Sequence, residues 1–199
     1  MVNWQIKNEL KEFLLNHKNN KILDFGCGDA RYKKFIEENN EYIGVDSKTT
    51  GFENSKKNAD IYWDNQTLPF ENESFDIIIC TEVLHQVDDI DNTINELKRV
   101  LKKGGKLIIY EPNKLNPLIW LTHLIDKNER GLLRVGSFKR YREIFSDTDF
   151  KIEEESYNGI VIGPSSKIFD NISNFLNHKI IYPVLGFLNP KIFLVVNKT

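Results

Sequence analysis

The chain has 199 residues, 40% hydrophobic and 28% charged, with a net charge of −2. That length suits one domain with a full core, and the missing basic excess argues against a general nucleic-acid binder. The two cysteines, Cys27 and Cys80, belong to no Cys-x-x-Cys or Cys/His cluster, so no disulfide framework and no metal site is expected, and a cytoplasmic setting fits best.

The first segment, WQIKNELKEFLLNHK, mixes Trp4, Ile6, Leu10, Phe13 and Leu14 with charges. This predicts an amphipathic helix within residues 1–19 rather than the unbroken apolar core of a signal peptide. No apolar stretch reaches the ~18 residues of a spanning helix. Short β-rich runs follow: KILDF (21–25), EYIGV (41–45), DIYW (60–63), FDIIIC (75–80) and KLIIY (106–110). Several are almost continuously apolar, as parallel strands covered on both faces are. Helices are predicted over 30–38 and 89–102, the second with Ile90, Ile94, Leu97 and Leu101 on one face and Gly104-Gly105 as its stop. The crossover at 46–59 is polar and Gly-broken and reads as mostly loop. Beyond Tyr110, the pattern predicts an apolar helix over 118–125, a helix at about 138–146, and strands near 150–157 and 191–197. The fold class is α/β, with a doubly wound, mostly parallel sheet of seven strands and helical insertions that form a lid.

Functional interest centres on ILDFGCGDARY, residues 22–32. Strand, glycine turn and helix in that order mark the place where nucleotide-like ligands sit in α/β sheets. A nicotinamide fingerprint, G-x-G-x-x-G, would need a third glycine where this chain has Arg31. What remains is Asp24-Phe25-Gly26-Cys27-Gly28, which resembles the first motif of the class I S-adenosylmethionine-dependent methyltransferases. The likeness continues through Asp46 at the end of the second strand, Asp64 before Leu68-Pro69-Phe70, the stretch FENESFDIIICTEVLHQV (70–87), and LKRVLKKGGKLII (97–109).

The resemblance implies a single methyltransferase domain: an N-terminal helix (1–19), a cofactor-binding core (20–111), and substrate-side insertions at 112–137 and 158–190. It implies S-adenosylmethionine as cofactor, S-adenosylhomocysteine as product, and no metal. Asp24, Gly26, Cys27, Gly28, Asp46, Asp64, Asn65 and Thr81 form the expected cofactor-binding set. Within it Asp46 meets the ribose diol, to which a carboxylate is suited as a bidentate acceptor, and Asp64 lies beside the adenine. The Gly-turn N–H groups suit the methionine carboxylate. Cys27 reads as a small residue that fits rather than a reactive thiol.

Methyl transfer is an in-line displacement that rests mainly on alignment, with a base needed only where the acceptor must lose a proton. His85, just after the fourth strand, and Glu111, ending the fifth, are the candidate catalytic residues, with Tyr110 and His123 behind them. Many relatives carry a second histidine where this chain has Gln86. The 112–137 insertion joins PLIWLTHLI to a basic stretch, and the second carries Ile168, Phe169, Phe175, Leu176 and KIIYPVLGFL. Apolar helices beside cations suit an amphiphilic, lipid-linked acceptor with an acidic head group and peripheral membrane contact. A soluble metabolite or sugar-related acceptor suits the same sequence, and a protein acceptor stays open. A nucleic-acid acceptor is disfavoured, because the Asp/Asn-Pro-Pro-aromatic motif of DNA amino-methyltransferases is missing from CTEVLHQV. The alternative to an enzyme is a non-catalytic module that binds the cofactor and regulates or scaffolds a partner. The sequence does not fix the oligomeric state.

Overall fold

The computed structural model describes residues 4–47, 58–64, 66–125, 131–146, 149–158, 167–176 and 178–199. In chain order the elements are α1 (Trp4–Leu15), β1 (Lys21–Phe25), α2 (Lys33–Ile36), β2 (Glu41–Ser47), β3 (Ile61–Trp63), β4 (Phe75–Thr81), α3 (Ile90–Val100), β5 (Leu101–Pro112), α4 (Pro117–Ile125), α5 (Leu132–Val135), α6 (Phe138–Phe145), β6 (Phe150–Asn158), α7 (Lys167–Leu176), α8 (Tyr182–Leu185) and β7 (Lys191–Lys198). A 3-10 turn, Gly186–Leu188, leads from α8 toward β7.

The strands form one seven-stranded sheet in the order β3-β2-β1-β4-β5-β7-β6. The pairs from β3 to β5 are parallel, and β7 runs antiparallel to both β5 and β6. The apolar runs are buried on both sides, as expected for parallel strands. Along β4, Ile77 and Ile79 pack with Leu10, Leu14 and Ile36 of α1 and α2, while Ile78 and Cys80 join Ile94 and Leu97 of α3 and Tyr141 and Phe145 of α6. The sheet is therefore the middle of a three-layer sandwich. Each parallel strand ends at the same edge, and Pro112 pairs with Lys191, so β7 begins there. The segments carrying α4, α5, α7 and α8 all leave from or return to this edge.

Two predicted boundaries shift. The helix expected from Ala30 begins only at Lys33, because Ala30 holds a left-handed φ of 55° and the chain is still turning. The Gly104-Gly105 pair does not stop a helix. α3 ends at Val100, Leu101 is already extended, and both glycines lie within β5, Gly104 at φ 73°. They fall where the pairing with β4 shifts register between Phe75 and Ile77, which is what glycine in a strand commonly marks. Most of the 46–59 crossover, residues 48–57, lies outside the described residues.

Candidate functional site

The site is built at the shared edge. After β1 the chain turns back over the end of β2: Gly26 N–H and Cys27 N–H both donate to Val45 O, at 2.8 and 3.1 Å. Gly26 has φ 76°, and a Cβ there would collide with the side chain of Val83. Gly28, at φ 56°, donates its N–H to Asp46 Oδ2 at 2.8 Å, and a Cβ on it would meet nothing within 4 Å. The space above Gly28 is open, and the Asp46 carboxylate is held at its rim. The Gly-turn N–H groups are thus spent on Val45 and Asp46 rather than left for a carboxylate ligand, and the four-residue α2 offers no long-helix N-terminus in their place.

Beneath the turn, Asp24 is 1% exposed and accepts a hydrogen bond from Tyr42 Oη at 2.9 Å. Burial pushes its carboxyl up to about 7 despite the opposing Tyr42 hydrogen bond. Burial, with the Asp24 charge beside it, also pushes the Cys27 thiol up to about 12, which makes it an unreactive packing group. Farther along the edge, Asp64 is exposed and accepts from Gln66 N–H. Next to it Trp63 is buried against Phe25, and its Nε1 is a buried donor with no acceptor among the described residues. Asn65 and the side chain of His123 lie outside the described residues.

The loop after β4 forms the second half of the site. Thr81 ends the strand, and Glu82 follows at a left-handed φ of 54° with its carboxylate paired to Lys191. Glu111 is fully buried below this loop. Its Oε1 accepts the N–H groups of Val83 and Leu84, each at 2.8 Å, and its Oε2 accepts from His85 Nδ1 at 2.6 Å. That bond places the imidazole proton on Nδ1 and leaves Nε2, 3.4 Å from Gln86 Nε2, as the basic nitrogen. From the other side, Arg134 donates to the carbonyls of Val87 and Asp88, and Gly131 packs directly on His85 O, where a Cβ would clash. The loop is therefore clamped twice, at its N–H groups by a carboxylate and at its carbonyls by a guanidinium. Tyr110, the weaker candidate, faces the opposite layer and donates to Glu9 Oε2 at 3.2 Å.

The structure brings Asp24, Gly26, Cys27, Gly28 and Asp46 into one turn, and joins His85 to Glu111 although they are 26 residues apart. Sequence reading passed over Tyr42, Trp63, Glu82 and Lys191, and took Arg134 only as part of the basic stretch of the first insertion. Of these, Trp63 carries a signal, as an aromatic directly before Asp64; the others act through partners distant in the chain. Among the described residues no group of three or more His, Cys, Asp or Glu is placed to hold a metal.

Residues 23–109 match the family described as "Methyltransferase domain". The chain is 28% identical to the uncharacterized methyltransferase YcgJ of Bacillus subtilis over 144 residues, 63% of this chain and 55% of that protein. It is 32% identical to a demethylmenaquinone methyltransferase of Staphylococcus saprophyticus over 105 residues, 47% of this chain and 45% of that protein. The chain spans about half the length of these curated relatives. Among solved structures, a S-adenosylmethionine-dependent methyltransferase from Archaeoglobus fulgidus superposes with a TM-score of 0.60 at 17% identity, over 98% of this chain and 93% of that one. This last likeness is one of fold.

Proposed function

We propose that the protein, whose residues 23–109 match the methyltransferase-domain family, moves a methyl group from S-adenosylmethionine to a small or amphiphilic acceptor. The observation that carries this reading is the open space over Gly28 with Asp46 fixed at its rim. The residues fit the cofactor. Asp46 suits a ribose diol, and the unpaired Trp63 Nε1 is a buried donor at the end where ring nitrogens of an adenine would supply an acceptor. Asp24 sits below the turn as a buried carboxyl that a nearby cation would help to ionise.

When bound, S-adenosylmethionine supplies a methyl carbon activated by its sulfonium. Asp46 and the cradle over Gly28 would hold the cofactor, which would supply that methyl to the acceptor atom by in-line displacement. This chain's part is to align the two and to keep water from the reacting atoms. Where the acceptor carries a proton, His85 Nε2 would take it in place of its contact with the Gln86 amide, with Glu111 holding Nδ1–H and stabilising the imidazolium that forms. Glu111 is in this reading a positioning residue, because both its oxygens are engaged with the loop and the imidazole. The name of the Staphylococcus relative and the apolar lid both favour an amphiphilic acceptor over a sugar-like one.

Calorimetric titration with S-adenosylhomocysteine, using NAD as control, tests the cofactor half. Micromolar binding is expected, lost in Asp46→Ala and weakened in Asp46→Asn, which keeps an acceptor for Gly28 N–H but not the charge. No binding by the folded protein, or equal binding of NAD, overturns the reading. Cofactor binding with no methyl transfer to any acceptor class would favour the regulatory module.

A further inference from the structure

In sequence the two insertions are basic and rich in apolar residues, whereas the rest of the chain is acidic. The two segments 112–142 and 158–191 hold ten basic residues against three acidic ones, leaving 17 basic against 26 acidic elsewhere. Within 113–125, 131–142 and 171–191 the sequence has no carboxylate at all. Lys139 and Lys179 are exposed and Lys114 is half-buried, while Arg140 and Arg142 are paired with Glu143 and Glu155.

The same segments turn large apolar side chains outward. α4 buries Ile119 but exposes Leu118, Trp120 and Leu121. After α7, which exposes Phe175, the chain presents Ile180 at 72% and Val184 at 69% exposure. The two insertions are locked together: Asn113 Nδ2 donates to the carbonyls of Phe187 and Asn189, each at 2.8 Å, and Asn116 Nδ2 donates to Leu188 O. They therefore act as one surface, hung from the edge where the site opens. Single exposed apolar residues need no explanation, but this many on two segments joined by these hydrogen bonds do.

We infer that this lid face docks on an anionic lipid bilayer, Leu118, Trp120, Leu121, Ile180 and Val184 entering the interface and the lysines meeting the head groups. Charge complementarity selects this occupant. The acidic face of a second copy would meet the lysines but not the outward aliphatic and Trp side chains, whereas a negatively charged bilayer takes both, at about 1 kcal/mol per basic residue near the surface. Trp at such a position is typical of the membrane interface. No helix among the described residues is long and apolar enough to cross a membrane, so the contact is one of lying on the surface. The inference rests on the amphiphilic-acceptor reading above and gives it a location: the acceptor enters from the bilayer rather than from solution.

Vesicle co-sedimentation tests this, with phosphatidylcholine alone and with roughly one-third phosphatidylglycerol added. Binding to the anionic vesicles is expected to be at least about tenfold tighter than to the neutral ones and to weaken with salt. Trp120 fluorescence should shift to the blue on binding, a change that Trp120→Phe removes. Leu118→Ser with Leu121→Ser, or Lys179→Glu, should reduce binding while S-adenosylhomocysteine affinity stays as in the wild type, which also shows that these variants fold. Absent or equal binding to both vesicle types overturns the inference. So does a dimer in solution that the double serine variant dissolves in the absence of lipid affinity. Loss of cofactor binding with vesicle binding intact would instead overturn the proposed function and leave the docking surface standing.

Discussion

Asp24 shows how a single carboxyl is set by its surroundings. Its ordinary value is 3.8 and burial raises it to about 7 in the folded chain. Between about pH 4 and 7 the folded chain holds a proton that the unfolded chain has released, so stability falls as pH rises through that interval and the full cost stands above it. At roughly 1.4 kcal/mol per unit, the cost is on the order of 4 kcal/mol at most. Asp24→Asn is expected to be more stable than the wild type at pH 8 and to converge with it near pH 4, as measured by urea unfolding at both values. Glu111 presents the opposite case, a carboxylate fully used. Glu111→Ala strands two buried N–H groups and the His85 ring, with an expected loss of about 2–5 kcal/mol in a denaturant titration. Glu111→Gln keeps an oxygen for the N–H groups but turns an amide NH2 toward Nδ1, forcing the proton to Nε2. It should fold, with turnover down roughly tenfold to a hundredfold and an altered pH profile. At this scale the sequence shows which residues bear chemistry but not what they hold. Nothing local to Glu111 tells that it reaches back 26 residues to His85, nor that Glu82 meets Lys191, 109 residues on.

Among the elements, the glycine turn was the most legible and also the one whose purpose changed. Two glycines after an apolar strand announce a tight reversal, yet their N–H groups hold the turn itself to Val45 and Asp46. The two positions also differ. Gly26→Ala adds a left-handed cost of about 1–2 kcal/mol to an overlap with Val83 that needs repacking. Gly28→Ala carries the backbone cost alone, since no atom stands near. Thermal unfolding should rank Gly26→Ala clearly below Gly28→Ala. Calorimetry should find that Gly28→Ala, although folded, has lost most of its S-adenosylhomocysteine affinity because its methyl fills the cradle. α3 was readable from its periodicity, and the structure adds Asp89, whose side chain accepts Asn92 N–H as a cap. α2 and the Gly104-Gly105 pair were not, because a left-handed Ala30 and a register shift within β5 are settled by neighbouring strands rather than by local preference.

For the whole molecule, alternating strands and helices were enough to predict a doubly wound sheet, since runs as apolar as FDIIIC must be covered on both faces. The partners of the last strands are a different matter, because pairing across the sheet leaves little trace in either strand alone. β7 lies inside the sheet, between β5 and β6, although it is the seventh strand to be made. A ribosome therefore releases β1 to β5 with one flank of β5 still bare, and β6 emerges with its future neighbour not yet translated. For the time needed to make residues 159–198, the nascent protein has two strands with open backbone edges and no partner for either. Pulsed amide exchange during refolding should find β1, β4 and the adjoining half of β5 protected first, and β6 and β7 together and last. The outermost strand waits for the inner one, which makes the late stage of synthesis the time when this chain most needs a chaperone.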